Sequence, residues 1–345
     1  MKNVLFVTPS YNPNLGGVEK HVSKVSQALL GRVNVEIFTI CTDSTLDGLE
    51  VIDGVRVKRK KIVKAKGINM LVLPLYSLSN LRYFLKQDII HVHDWLMFYY
   101  IVLPILPLLK LNNVKVHVTF HGWEGVFPPM RKAIYYRWIV ELFTNRSIVI
   151  GEFIPKWYKM IKKPLINYGG CSDHILNNKS KDPNLFIFVG RLEEDSGIRY
   201  ALEHFLKFKQ CNQDLCLVVL GGGSLLSELR EKFDDGYANI DFLGSKDSSV
   251  VTDLMQKAQY CYTSGYLGII EALFARCQVI SSYSNGLKRD YLEFFRSRYN
   301  LPISIEDEKA PSYVLPKDLE YPSIKLEDTF TWNSVASVYL ELWKI

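Results

Sequence analysis

Residues 264–282, SGYLGIIEALFARCQVISS, read as a turn, a helix and a strand in quick succession. The run before them, QYCYTS (259–264), has the aromatic character of a strand, and QVISS (278–282) is β-branched and apolar. Between them Gly265 and Gly268 lead into a helix that is apolar except for one carboxylate, Glu271. Strand, turn, helix and strand together make the crossover unit of a parallel sheet. The acid inside that helix has two readings. It sits on a solvated face, or it faces something bound where the strands end.

The same alternation extends outward. LFIFVG (185–190), LCLVVLG (215–221) and NIDFLG (239–244) are further strands, giving five in the second half. The first half shows NVLFVT (3–8), an amphipathic run through VEKHVSKVSQALL, then NVEIFTI (34–40), DIIHVH (88–93), VKVHVTFH (114–121) and RSIVI (146–150). Strands this continuously apolar belong to parallel sheets covered by helices on both faces. The polar stretch NNKSKDPN (177–184) separates the halves, and no internal repeat or low-complexity tract is seen. The expectation is an α/β chain of two doubly wound domains, residues 1–170 and 183–330, with ligand held at the carboxyl ends of strands in the cleft that separates them.

Composition bounds the function. The chain has 345 residues, 48% hydrophobic, enough for a large core and two domains. Its net charge of +6 is too mild to argue for nucleic-acid binding. The cysteines (Cys41, Cys171, Cys211, Cys216, Cys261 and Cys277) form no Cys-x-x-Cys pair and read as reduced core residues of a cytoplasmic protein. The opening MKNVLFVTPSY is a first strand rather than a signal peptide. The oiliest stretch, WLMFYYIVLPILPLLKL (95–111), carries Pro104 and Pro107 and reads as a buried helix followed by a loop, with shallow membrane contact as the alternative.

Several residues are candidates for chemistry. Gly16 and Gly17 precede a helix start, where bare amides favour an anion, or else form an ordinary loop, since no G-x-G-x-x-G opens that helix. In FVGRLEEDSGIRY, Gly190 permits close approach, and Arg191 can bind phosphate oxygens or else pair with Glu193 or Glu194. Glu271, a turn into its helix, can accept two hydrogen bonds from a vicinal diol such as a ribose. His91 and His93 read as packing at a strand end, His121 equally as packing or as functional, and Asp94 as a weaker candidate. The basic run VRVKRKKIVKAKG (55–67) is either a solvated strand and loop or a surface that meets anionic lipid.

Taken together these segments resemble the family 4 retaining glycosyltransferases of GT-B architecture, over nearly the whole chain. TPSYNPNLGGVEKHV resembles the family's N-terminal glycine loop, DIIHVHDWL its second landmark, VTFHGWE the segment carrying a cleft histidine, and INYGG its hinge, with Asn167 and Tyr168 replacing the usual pair. FVGRLEEDSG, VVLGGGS, IDFLG and GIIEALFARCQVISS resemble the donor-domain motifs in order, and FTWNSVASVYLELWKI the final helix, so that 331–345 returns to the first, Rossmann-like domain.

The resemblance implies transfer of a hexose from a nucleotide-diphosphate sugar to a glycan or lipid-linked acceptor, with retention and with neither metal nor cofactor. Carried over, the donor-binding residues are Gly16, Gly17, Gly190, Arg191, Ser196, Thr263, Leu267, Gly268 and Glu271. His121 joins Arg191 and Glu271 at the catalytic centre, and Glu19 and His21 fall on the acceptor side. The chain departs from the pattern at Thr263 (usually Glu), Ser196 (usually Lys), and Arg276 and Gln278 (usually Gly and Pro), with Lys207 and Arg199 as candidate substitutes for the lysine. The expected protein is cytoplasmic, with peripheral contact to the membrane inner face through residues 55–67. The rivals are a sugar-nucleotide epimerase of the same architecture and a non-catalytic nucleotide-sugar-binding protein.

Overall fold

The computed structural model describes residues 1–14, 16–63, 69–172, 175, 180–233, 239–316 and 326–345. They form two compact units, Met1–Asn167 with Trp332–Ile345, and Tyr168–Thr331.

The first unit runs β1 (Asn3–Thr8), α1 (Gly17–Leu29), β2 (Asn34–Cys41), β3 (Gly48–Ile52), β4 (Val55–Lys61), α2 (Asn69–Ser79), α3 (Leu81–Leu85) and β5 (Ile89–His93). It continues through α4 (Trp95–Met97), α5 (Leu106–Leu111), β6 (Lys115–Phe120), α6 (Arg131–Phe143), β7 (Ser147–Ile150), α7 (Phe153–Tyr158) and β8 (Leu165–Asn167). Its sheet has the order β3-β4-β2-β1-β5-β6-β7-β8 and is parallel except for the β3–β4 pair. The order reverses at β1, so the β1 and β5 ends mark a topological switch point. Every residue of β5 is buried, histidines included. The last helix of the chain, Trp332–Trp343, buries Trp332, Val335, Ala336, Tyr339, Leu342 and Trp343 at helical spacing and packs on α1 and β8.

One expectation is narrowed here and another is corrected. The basic run is mostly β4, a strand inside the sheet, with Val55, Val57 and Arg59 buried and Arg56 exposed; Lys64 and Lys66 lie outside the described residues. The oily stretch 95–111 is helical throughout and has no loop in its second part. It winds through a π segment (Phe98–Val102) and a 3-10 turn (Leu103–Ile105) between α4 and α5. Pro104 and Pro107 stand in the first turns of the 3-10 and α5 segments, where a missing N–H costs no ladder bond. Among the described residues no helix is long and apolar enough to cross a membrane.

The second unit runs β9 (Asp182–Val189), α8 (Ile198–Lys209), β10 (Cys216–Leu220), α9 (Leu226–Phe233), β11 (Ile240–Gly244) and α10 (Ser248–Lys257). Then come β12 (Ala258–Tyr262), α11 (Tyr266–Phe274), β13 (Gln278–Tyr283), α12 (Gly286–Tyr299) and β14 (Ile303–Asp307). The sheet is wholly parallel in the order β11-β10-β9-β12-β13-β14, the doubly wound arrangement, with its switch point between β9 and β12. It has six strands, one more than the sequence reading found, because β14 (ISIED) is short, polar and only half-buried. On α8, Ile198, Ala201, Leu202 and Phe205 recur at helical spacing and close the core over Phe186, Leu217 and Val219.

The division at Asn167/Tyr168 has a packing cause. The Tyr168 ring stacks on Phe295 at 4.6 Å and meets Tyr266 edge-on at 4.9 Å. Gly169, at φ +101°, leaves room that the Leu267 side chain fills.

Candidate donor and acceptor sites

At the switch point of the second unit, the turns after β9, β10 and β12 lie side by side. Gly190 N–H donates to Leu220 O (3.1 Å) and Leu192 N–H to Gly222 O (2.9 Å). Gly221, at φ +140°, lies so close that a Cβ there would run into the Gly190 carbonyl, and one on Gly223 would meet Leu192 O. Gly221 and Gly223 of the GGG triplet are thus required by one loop lying directly on another.

Arg191 leaves this turn with a side chain 71% exposed and pairs with Asp195 at 3.1 Å. Neither Glu193 nor Glu194 holds it. Glu193 accepts from Ser224 N–H and Oγ–H, and Glu194 from Arg199. Arg199 also donates to Glu228, so its guanidinium is spread over two carboxylates, while Lys207 lies 5.8 Å from the Tyr313 ring.

Ser196 is buried. Its Oγ donates to Glu193 O (2.7 Å) and accepts from Ile198 N–H (3.3 Å), which shapes the start of α8. Thr263 is buried too, its Oγ1 seated against Gly268, where a Cβ would clash with it. Both side chains therefore serve local structure. A cavity of about 10 Å³ between them, bordered by Ser264, Ser281 and Ser282, has room for about one water.

Helix α11 starts at the same place. Tyr266 N–H donates to Tyr291 Oη (2.9 Å), and the first helical bond runs from Ile269 N–H to Gly265 O, so the Leu267 and Gly268 amides stand outside the ladder. Glu271, a turn further on, is only 8% exposed, which removes the solvated-face reading. At the helix end Arg276 takes φ +61°, the left-handed conformation that usually selects glycine.

In the first unit Gly16 is the N-cap of α1 with extended backbone, and a Cβ on Gly17 would meet nothing within 4 Å. Neither glycine is dictated by backbone strain. The Glu19 side chain, at the third helical position, folds back over Gly16.

The histidines form a buried network. Trp343 Nε1–H donates to His91 Nδ1 (3.0 Å), so His91 accepts there and carries its proton on Nε2. His91 Nε2 then donates to Thr119 Oγ1 (2.7 Å), Thr119 to Tyr339 Oη (3.1 Å), and Tyr339 to His21 Nε2 (3.0 Å). His21 is thereby tied to the last helix and is 2% exposed.

His93 Nδ1 lies 2.8 Å from His121 Nε2, and His93 Nε2 is buried with no partner. An unmatched buried N–H is the costlier orphan, so the shared proton is assigned to His93 Nδ1. His121 then accepts at Nε2 and keeps Nδ1–H, a donor on a partly exposed ring. Burial pushes all these histidines down, His21 to about 3, and holds them neutral.

The loop bearing His121 is held by residues the sequence reading passed over. Buried Arg137 donates to Gly122 O and to Glu124 Oε1 (3.0 Å), its guanidinium 3.9 Å from the Tyr158 ring, and Tyr158 Oη–H donates to Glu124 Oε2 (2.6 Å). The sequence signal was one arginine in the aromatic helix YYRWIV. Asp94, at φ +73°, accepts from Trp95 N–H at the β5 end, and burial raises its pKa.

Family models for Glycosyltransferase Family 4 and Glycosyl transferases group 1 match residues 15–154 and 173–293. The chain belongs to family 4 of the glycosyltransferases, and its fold is GT-B. Sucrose-phosphate synthase from Thermosynechococcus elongatus superposes with TM-score 0.74 at 17% identity, covering 100% of this chain and 98% of that one. Anabaena HepE in complex with UDP and glucose gives TM-score 0.69 at 12% identity, covering 99% and 95%. An uncharacterized glycosyltransferase of Methanocaldococcus jannaschii is 22% identical over 255 residues, 66% of this chain; the chain spans little more than half, 56%, of that relative.

Proposed function

We propose that this protein is a retaining hexosyltransferase that moves a sugar from a nucleotide-diphosphate donor to an acceptor hydroxyl. The observation supporting the proposal is that Arg191 follows β9 and α11 follows β12, the two strands flanking the switch point, and that α11 carries the Leu267 and Gly268 amides outside its ladder and the buried carboxylate of Glu271. A nucleoside diphosphate needs those groups: a cation and amides for its phosphates, and an acceptor for its ribose hydroxyls. Within the first unit, the backbone at Gly17 is open and His121 keeps an Nδ1–H on a partly exposed residue, the groups that the family resemblance assigns to a phosphate and to the sugar.

In this reading the acceptor oxygen attacks the anomeric carbon on the face the diphosphate leaves. The acceptor proton passes to a departing phosphate oxygen as the carbon–oxygen bond breaks. Arg191 and the α11 amides, rather than a metal ion, stabilise the charge growing on the leaving group. Glu271→Gln is expected to weaken nucleoside diphosphate binding by about tenfold to a hundredfold and leave the fold intact. Calorimetry across a panel of nucleotides, with turnover on the matching sugars with and without acceptor glycans, tests it. Donor consumption without acceptor favours an epimerase. Binding with no turnover favours a non-catalytic protein, a reading supported by the internal commitment of Ser196 and Thr263.

A lipid-linked acceptor and peripheral membrane contact form the finer part of the proposal. Arg59 is buried and paired with Glu50 (2.5 Å), and Arg56 with Glu36 (3.5 Å), so those two cations are already balanced. Lys58 stands 3.9 Å over the Tyr83 ring, Lys60 and Lys61 remain, and Met70, Leu71, Leu75 and Leu78 of neighbouring α2 are exposed apolar residues. Replacing Lys60 and Lys61 with Gln is expected to reduce sedimentation with phosphatidylserine vesicles, most of all at low salt. Equal sedimentation of both proteins rules the contact out.

A further inference from the structure

Lys288 lies in the first turn of α12, past the carboxyl end of β13, and is 8% exposed. Its Nζ donates to Ser264 O (2.9 Å) and stands 4.5 Å from the Tyr291 ring centre. Arg191, Asp195 and Glu308 are the charges that act on it. Among the described residues no carboxylate comes within ion-pair distance: Asp195 is engaged by Arg191, and Glu308 accepts from Ser282 Oγ–H (2.8 Å). An ammonium has three hydrogens to donate, and one is placed. Such a group is costly inside a protein unless an anion meets it.

Its position identifies the anion. Ser264 is the residue before the α11 N-cap, Gly265. Tyr291, beneath the ammonium, is also the residue whose hydroxyl accepts from Tyr266 N–H at the start of α11. Ser264 Oγ–H donates to Ser196 O (2.8 Å), so Lys288 reaches the same turn as Ser196. Resting on the donor-binding reading above, we propose that Lys288 binds phosphate oxygens of the nucleoside diphosphate, supplying from α12 the cation that the family pattern places at Ser196.

Burial holds the Lys288 pKa down, to about 8, against the opposing pull of Asp195. Diphosphate binding then draws a proton onto Lys288 near about pH 8.5, a signature that packing alone does not produce. The test is titration calorimetry of wild type, Lys288→Met and Lys288→Arg with UDP, ADP and GDP and with the matching nucleosides.

Lys288→Met is expected to weaken the diphosphate by about tenfold to a hundredfold, leave nucleoside affinity within about twofold and abolish the buffer-dependent heat of proton uptake. Lys288→Arg recovers part of the loss. Methionine in a buried ammonium site is expected to keep the fold. Unchanged diphosphate affinity in Lys288→Met overturns the inference, as does an equal loss for nucleoside and diphosphate. Wild type binding no nucleoside diphosphate overturns the donor-binding reading itself, a result distinct from the other two.

Discussion

Gly221 shows at the scale of one residue how a turn is made for close approach. Its φ of +140° and its contact with the Gly190 carbonyl both exclude a side chain. Gly221→Ala is therefore predicted to cost about 3 kcal/mol or more, through strain and overpacking together. Urea unfolding followed in the second unit measures this, and an unchanged midpoint contradicts it. The triplet GGG was legible as a motif, but the reason for it was not, since the Gly190 carbonyl is thirty-one positions away. Arg276 gives the converse case. The sequence departs from glycine there, yet the backbone keeps the left-handed conformation at φ +61°.

At the scale of elements, the last helix is fastened to the first sheet by polar groups as well as by its apolar face. The chain from Trp343 through His91, Thr119 and Tyr339 to His21 joins that helix to β5, β6 and α1. His91, Thr119 and Tyr339 each accept one hydrogen bond and donate one, so a break leaves buried partners unmatched. Tyr339→Phe keeps the ring packing against His91 at 4.9 Å and deletes only the hydroxyl. The expected loss is about 1–3 kcal/mol in chemical denaturation. A variant as stable as wild type would show the network to be dispensable. None of this was readable from the histidine spacing in DIIHVH, which shows only that two rings share a strand face.

For the whole molecule, the buried histidines couple stability to pH, chiefly in the first unit. His21, His91, His93, His117 and His121 all belong to that unit, and burial lowers every one, His21 to about 3 and His117 to about 4. In the unfolded chain each takes a proton near its ordinary value of about 6.5. Below that pH the unfolded state binds more protons, so stability is full above about 6.5 and falls as pH drops toward the folded values. Five such groups make the fall steep, on the order of 5 kcal/mol per pH unit at its steepest. In the second unit His204, held down to about 4, is the comparable group among the described residues. Hydrogen exchange read by mass spectrometry at about pH 5 is predicted to show the first unit opening while the second stays protected. Equal loss of protection in both units would contradict the assignment.

Hydrophobic patterning by itself determined the alternation of strand and helix, the two α/β units and the order of the motifs, because burial on both faces leaves an unbroken apolar run in each strand. It did not determine β3, β4, β8 or β14, which are short or polar and become strands only by pairing with neighbours. The candidate site divided in the same way. Glu271 and Arg191 were visible because each follows a strand end and a glycine. Tertiary structure alone decided that Glu271 is buried, that Ser196 and Thr263 face inward, and that Lys288 reaches the turn before α11. A local pattern records which residues follow one another; what a charge faces once buried depends on segments far away in sequence, and only the packed fold brings them together.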